Sequence, residues 1–138
     1  MQITPYLLFD GRCKEAFDFY AKALGGRITA TMTYGESPMA RDMPADSHHR
    51  ILHTHLESDG AVLMGSDGPH SEVPGSPGIS VTVTVDDPAE AERIFAALSA
   101  GSEVRMAIEE TFWAHRFGML TDRYGKPWMV NCAKPREG

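Results

Sequence analysis

Two glycines, Gly60 and Gly125, each open a short run that reaches a methionine four residues later, Asp59-Gly60-Ala61-Val62-Leu63-Met64 and Tyr124-Gly125-Lys126-Pro127-Trp128-Met129. The elements that precede each run also recur in the same order, so the chain reads as one unit written twice. This constrains the fold more than any other feature. A half with one helix and one small sheet is too little to close its own core, and two such halves are expected to pair.

In the first copy, Ile3 to Phe9 is an apolar run with Pro5 near its start, suited to an outer strand that Asp10-Gly11 ends. From Cys13 onward, Ala16, Phe17, Tyr20, Ala23 and Leu24 follow helical spacing, stopped by Gly25-Gly26. Arg27 to Tyr34 alternates Ile28, Ala30 and Met32 with threonines and reads as a second strand. Gly35 to His49 has no periodicity and is expected to be a long surface loop of the kind that covers a site, with His48 and His49 facing solvent. Arg50 to Glu57 alternates again: Leu52, Thr54 and Leu56 face one way, His53, His55 and Glu57 the other. The run from Gly60 to Met64 is a fourth strand.

Asp67 to Gly78 is dense in Gly, Pro and Ser and reads as a linker. In the second copy, Ile79, Val81, Val83 and Val85 alternate with Ser80, Thr82 and Thr84, a hydroxyl ladder whose direction alternation leaves open. Asp86-Asp87-Pro88 starts a helix with Ala91, Ile94, Phe95 and Leu98 as its buried stripe, and Gly101 ends it. Val104 to Ile108, Phe117 to Asp122 and Trp128 to Ala133 complete a second βαβββ order. The expected fold is α+β, one domain over 1–138, with module one at about 1–67, a linker at about 68–78 and module two at about 79–134. The modules are expected to form an incomplete mixed β-barrel with helices outside and a concave interior as the pocket.

Composition narrows the function classes. A net charge of −6 without a basic cluster argues against nucleic acid and anionic lipid as partners. No segment approaches the ~20 apolar residues of a membrane span, and Met1-Gln2-Ile3-Thr4-Pro5 has no basic stretch leading into an apolar one, so a cytoplasmic location is expected. Cys13 and Cys132 are the only cysteines, and they are expected to be free and buried. No G-x-G-x-x-G or Walker loop is present to argue for a doubly wound nucleotide fold.

Pro5-Tyr6-Leu7, Ala16-Phe17-Asp18-Phe19-Tyr20 with Gly25-Gly26, Glu110-Thr111-Phe112-Trp113, Phe117-Gly118, and Asp122-Arg123-Tyr124-Gly125 leading to Trp128-Met129-Val130-Asn131 resemble the vicinal oxygen chelate superfamily. That superfamily includes glyoxalase I, the bleomycin and fosfomycin resistance proteins and extradiol dioxygenases, and the chain looks like its PhnB-like branch. The resemblance implies the glyoxalase/bleomycin resistance fold and a homodimer. It also implies metal-ligand positions at Thr4 or Pro5, depending on register, and at Met64, Ser80 and Met129. None of these supplies the imidazole or carboxylate that hard and borderline divalent ions take. The inherited metal site therefore looks lost, and no cofactor is expected. The branch is often labelled a ubiquinone-pathway methyltransferase, yet neither a glycine-rich nucleotide loop nor its following acidic residue is found to hold a methyl donor.

Two functional readings follow. In the first, the protein binds a small apolar or aromatic molecule without metal, through Met64, Met129, Phe112, Trp113 and the polar groups His53 and Asn131. Phe112 and Trp113 stack on the ligand, or else pack on a partner subunit or plug the barrel. Asn131 orients a ligand carbonyl, or else bonds to neighbouring backbone. His115 and Arg116 meet an anionic group or solvent. In the second reading, the protein is a metal-dependent lyase, isomerase or dioxygenase whose site has moved to His53, His55 and Glu57, alternate residues roughly 6.6 Å apart along a strand. The other account of that set is a polar wall or a strand edge.

Overall fold

The computed structural model describes residues 2–67 and 79–134. The chain divides into two compact units, Met1–Gly75 and Ser76–Gly138. The stretch read as a linker, 68–78, lies outside the described residues.

In the first unit, β1 (Tyr6–Phe9), α1 (Cys13–Leu24), β2 (Arg27–Thr33), β3 (Ile51–Ser58) and β4 (Ala61–Asp67) follow in order. The sheet runs β1-β4-β3-β2, with β1 parallel to β4 and the other pairs antiparallel. Asp59 and Gly60 both have positive φ, 50° and 80°, which makes the two-residue hairpin turn that sets Ser58 opposite Ala61. Helix α1 buries Ala16, Phe17, Tyr20 and Ala23 of the predicted stripe together with Cys13, while Leu24 is only half-buried. Gly25 ends the helix in the left-handed conformation, and the Gly26 N–H reaches back to the Ala21 carbonyl at 2.8 Å. The helix covers one face of the sheet. A Cβ on Gly65 would sit 2.6 Å from Phe17 Cε1, so only glycine lets the ring lie on β4.

Three expectations are corrected in this unit. The first strand begins at Tyr6, not Ile3, and Ile3 is 91% exposed. Pro5 has no N–H to give a ladder, although its carbonyl still accepts the Met64 N–H at 3.2 Å. Residues 35–49 hold successive 3-10 turns at Pro38–Asp42 and Ala45–Ser47, following one at Tyr34–Glu36. Thr33 and Glu36 form a reciprocal capping box, and Ser37 caps the turn that Pro38 opens. The third turn has no side-chain cap and is closed by the Ser47 N–H on the Pro44 carbonyl at 2.9 Å, and the last two turns bury no residue, so no hydrophobic period marks them. His48 is half-buried rather than solvent-facing: its Nε2 lies 3.0 Å from the Ala40 carbonyl and 3.2 Å from that of Met43. His49 is exposed as expected.

In the second unit, β5 (Val81–Thr84), α2 (Pro88–Leu98), β6 (Glu103–Glu109), β7 (Ala114–Thr121) and β8 (Pro127–Ala133) give the sheet order β5-β8-β7-β6, again with one parallel pair, β5 with β8. Asp87 caps α2 by accepting the Ala89 N–H at 3.0 Å, with Pro88 at the first helical position, and Ala91, Ile94, Phe95 and Leu98 are buried. Phe95 lies over Gly118, where a Cβ would meet its Cε2 at 2.6 Å. Cys13 and Cys132 are both buried thiols outside any disulfide. The fold is α+β, two mixed sheets with one long helix each, neither sheet closed on itself.

Candidate functional site

Each unit has one sheet face that its helix covers and one that it leaves bare. Because side chains alternate along a strand, the glycines beneath Phe17 and Phe95 identify which is which. Leu63, Gly65 and Asp67 lie toward α1, so Val62, Met64 and Ser66 lie on the other face of β4. Register extends that bare face: Tyr6 stands opposite Met64 on β1, His55 opposite Met64 on β3, and Met32 opposite His53 on β2. The face is therefore a mixed surface of Tyr6, Leu8, Met32, His53, His55 and Met64. Tyr6, Leu8 and Met32 are exposed, and the other three are partly covered.

Its polar groups are arranged as follows. The Tyr6 hydroxyl lies 3.1 Å from His53 Nδ1, and the two rings stack with centroids 5.8 Å apart. With the imidazole neutral and protonated at Nε2, the phenol donates to Nδ1. His55 Nε2 is 3.5 Å from Glu57 Oε1, within ion-pair range, yet that atom is buried without a hydrogen-bond partner among the described residues. The distance and geometry are too poor for a hydrogen bond, so the contact counts only when the ring is protonated.

In the second unit, Gly118, Leu120, Trp128, Val130 and Cys132 lie toward α2. Thr82, Thr84, Phe117, Met119, Met129 and Asn131 share the bare face, with Thr82 opposite Met129, Thr84 and Phe117 each opposite Asn131, and Met119 opposite Met129. The direction of the hydroxyl ladder is thus settled: Thr82 and Thr84 lie on the bare face and are exposed. At the end of this face three aromatics come together, Phe112 and Trp113 from the connection between β6 and β7 and Phe117 from β7 itself. Phe112 meets Trp113 edge-on at 4.7 Å, and Trp113 meets Phe117 edge-on at 5.4 Å. Phe112 is 89% and Trp113 45% exposed. Thr111 fixes this turn by accepting the Ala114 N–H at 3.1 Å.

The structure brings Trp113, Met129 and Asn131 to one face and His53 and Met64 to the bare face of the other unit, while Phe112 stands out at the turn. Asn131 does not make the backbone hydrogen bond that was one expectation for it; its Oδ1 is buried and unpartnered among the described residues. Arg116 is corrected more firmly. Both His115 and Arg116 belong to β7, and Arg116 turns to the helix side, where its Nε donates to Glu92 Oε1 at 2.7 Å; that carboxylate raises the guanidinium's pKa. Tyr6 and Phe117 enter the sequence reading only as strand residues and through the resemblance, and Thr84 only as part of the hydroxyl ladder, none of them as a ligand contact. The face of Phe117 is decided by its neighbour Gly118, which lies beneath Phe95 and so turns Phe117 away from α2.

The family model described as 3-demethylubiquinone-9 3-methyltransferase matches residues 1–131. The chain belongs to that family. Protein YjdN of Escherichia coli is 32% identical over 142 residues, covering 97% of each chain. A crystal structure of a Pseudomonas aeruginosa protein is 46% identical with a TM-score of 0.86, covering 98% of this chain and 99% of that one. A PhnB protein from Bacillus cereus, 24% identical, shares the fold with a TM-score of 0.79 over 96% of this chain and 100% of its own. The chain is thus a PhnB-like member of the vicinal oxygen chelate superfamily with the glyoxalase/bleomycin resistance fold.

Metal-using members of that superfamily raise the question of a metal here, and the residues do not fit one. The register pairs Tyr6 with Met64 as it pairs Thr82 with Met129, which makes Thr4, not Pro5, the counterpart of Ser80. Two hydroxyls and two thioethers are a poor donor set for a hard or borderline divalent ion. Among the described residues, no group of three or more His, Cys, Asp or Glu side chains is placed to hold a metal, the set of His53, His55 and Glu57 included.

Proposed function

We propose that this PhnB-like protein binds a small apolar or aromatic molecule without a metal ion. The observation that carries the reading is the aromatic edge of Trp113 and Phe117, which runs onto the thioethers of Met119 and Met129 along one bare sheet face. Rigid aromatic rings beside polarizable methionines favour flat apolar ligands through stacking and sulfur–ring contacts. On the first unit's own bare face, His53 and Met64 are proposed as a polar and an apolar contact for a ligand of the same kind. Methyl transfer is left out of it: the strand-to-helix connections, Asp10-Gly11-Arg12 and Val85-Asp86-Asp87, are not the glycine-rich turns that cradle a nucleoside cofactor. A homodimer and a cytoplasmic location go with the reading as sequence expectations, the first to be checked by sedimentation and the second by cell fractionation.

The test is calorimetric titration of the full chain with naphthol and with its methyl ether, before and after chelation, alongside metal analysis of protein purified without chelator. The expected result is saturable binding unchanged by chelator. Binding that vanishes with chelator and returns with a divalent ion would overturn metal independence, and no binding of either probe at millimolar concentration would overturn the reading itself.

A further inference from the structure

Asn131 Oδ1 is a buried carbonyl oxygen with no hydrogen-bond partner among the described residues. Such an acceptor carries its desolvation cost without compensation until a donor reaches it. Its surroundings are specific. Across the sheet it stands beside Thr84 on one side and Phe117 on the other, and Phe117 is the ring that Trp113 meets edge-on at 5.4 Å. The unmet acceptor is therefore next to the aromatic edge, on the same bare face. Ser80 Oγ, four residues before Thr84, is also buried and unpartnered among the described residues. A hydroxyl can satisfy either kind of partner, whereas an amide oxygen can only accept. Asn131 is thus the group that dictates the chemistry.

We propose that the ligand of this face is an aromatic molecule bearing an N–H or O–H donor, its ring against Trp113 and Phe117 and its donor directed to Asn131 Oδ1. A phenol, an indole or an aromatic amine meets this description; a bare hydrocarbon or an ether does not. The inference rests on the binding reading above and narrows it to a ligand class.

Naphthol and its methyl ether share a ring system and differ in the donor, so their affinities for the full chain, measured by calorimetry, isolate the predicted hydrogen bond. Naphthol is expected to bind about five- to tenfold more tightly. Asn131→Leu is expected to remove that preference while the ether still binds, and Asn131→Asp, which keeps acceptor oxygens, is expected to retain it. Circular dichroism melts report whether each variant folds, and the wild-type comparison stands without them. Equal affinities in the wild type, as when water meets the amide oxygen, or a preference for the ether, as when the amide presents its N–H₂ there, would overturn the inference and leave the binding reading intact. Failure of both probes to bind would overturn the two together.

Discussion

The Asp67 carboxylate accepts the backbone N–H of Cys13 at 3.0 Å and so caps a helix that begins 54 residues earlier in the chain. Arg12, the residue at the N-cap position of α1, supplies no side-chain cap. The other carboxylate oxygen accepts the Ile51 N–H at 2.9 Å, and the Asp67 carbonyl accepts the Tyr34 hydroxyl at 2.9 Å. One buried residue therefore ties α1, the start of β3, the end of β4 and the turn after β2. Burial also raises the Tyr34 hydroxyl above its ordinary pKa, which keeps it protonated as a donor. Asp67→Ala leaves two buried N–H groups unmet and should cost roughly 2–4 kcal/mol. Asp67→Asn should cost nearly as much, because one end of an amide confronts an N–H with its own donors. Urea denaturation of both variants checks this; an Asn variant as stable as wild type would show that shape, not acceptor number, is what matters.

Trp113 is half-exposed at the aromatic edge, and Trp128 is fully buried with its indole N–H donating to Asp122 at 2.8 Å. The two should respond differently to ligand. Trp113→Ala is expected to leave the melting temperature nearly unchanged and to weaken naphthol binding about tenfold, in line with loss of an aromatic contact of about 1 kcal/mol or more. In wild-type protein the fluorescence change on titration should come from Trp113, and a Trp113→Phe variant should lose most of it.

Gly65 and Gly118 each lie beneath a helix phenylalanine, and an added Cβ would also crowd a second neighbour: the Leu7 carbonyl at 2.9 Å for Gly65, and Ile108 Cα and Cβ at 3.0 Å for Gly118. Alanine at either position overpacks the junction of helix and sheet and should destabilise by about 1–3 kcal/mol. Thermal melts of the two single variants would check this, and loss of less than half a kcal/mol in both would indicate that the helices shift freely on their sheets.

Glu36 provides a pH test. The Thr33 hydroxyl and backbone N–H both donate to its Oε1, at 2.8 and 3.1 Å, and these bonds lower its pKa from 4.5. A carboxylate with a depressed folded pKa stabilises the fold above its unfolded value and loses that contribution as pH falls through the folded one. The melting-temperature gap between wild type and Thr33→Val should therefore be constant near neutral pH and narrow below pH 4.5. A small gap should persist, because the Thr33 hydroxyl accepts the Glu36 N–H at 3.2 Å whatever the charge. A gap independent of pH would contradict the assignment.

Much of the fold was legible because its determinants are local. Helical spacing placed Ala16, Phe17 and Tyr20, and Ala91, Ile94 and Phe95, on buried stripes. Alternation marked the strands, glycines and prolines marked the breaks, and the order of these signals exposed the duplication. The methionines at the ends of the two runs could be matched from sequence, and the sheet confirms their equivalence by setting Tyr6 beside Met64 and Thr82 beside Met129. Alternation assigns residues to two faces but carries no information about which face a helix will cover; that depended on Phe17 meeting Gly65 and Phe95 meeting Gly118. The same packing turned Arg116 toward Glu92 and left Phe117 and Asn131 on the bare face. Hydrogen bonds spanning 54 residues, as from Cys13 to Asp67, and a buried acceptor with no partner, as at Asn131, depend on the close approach of separate elements, so only the tertiary structure decides them.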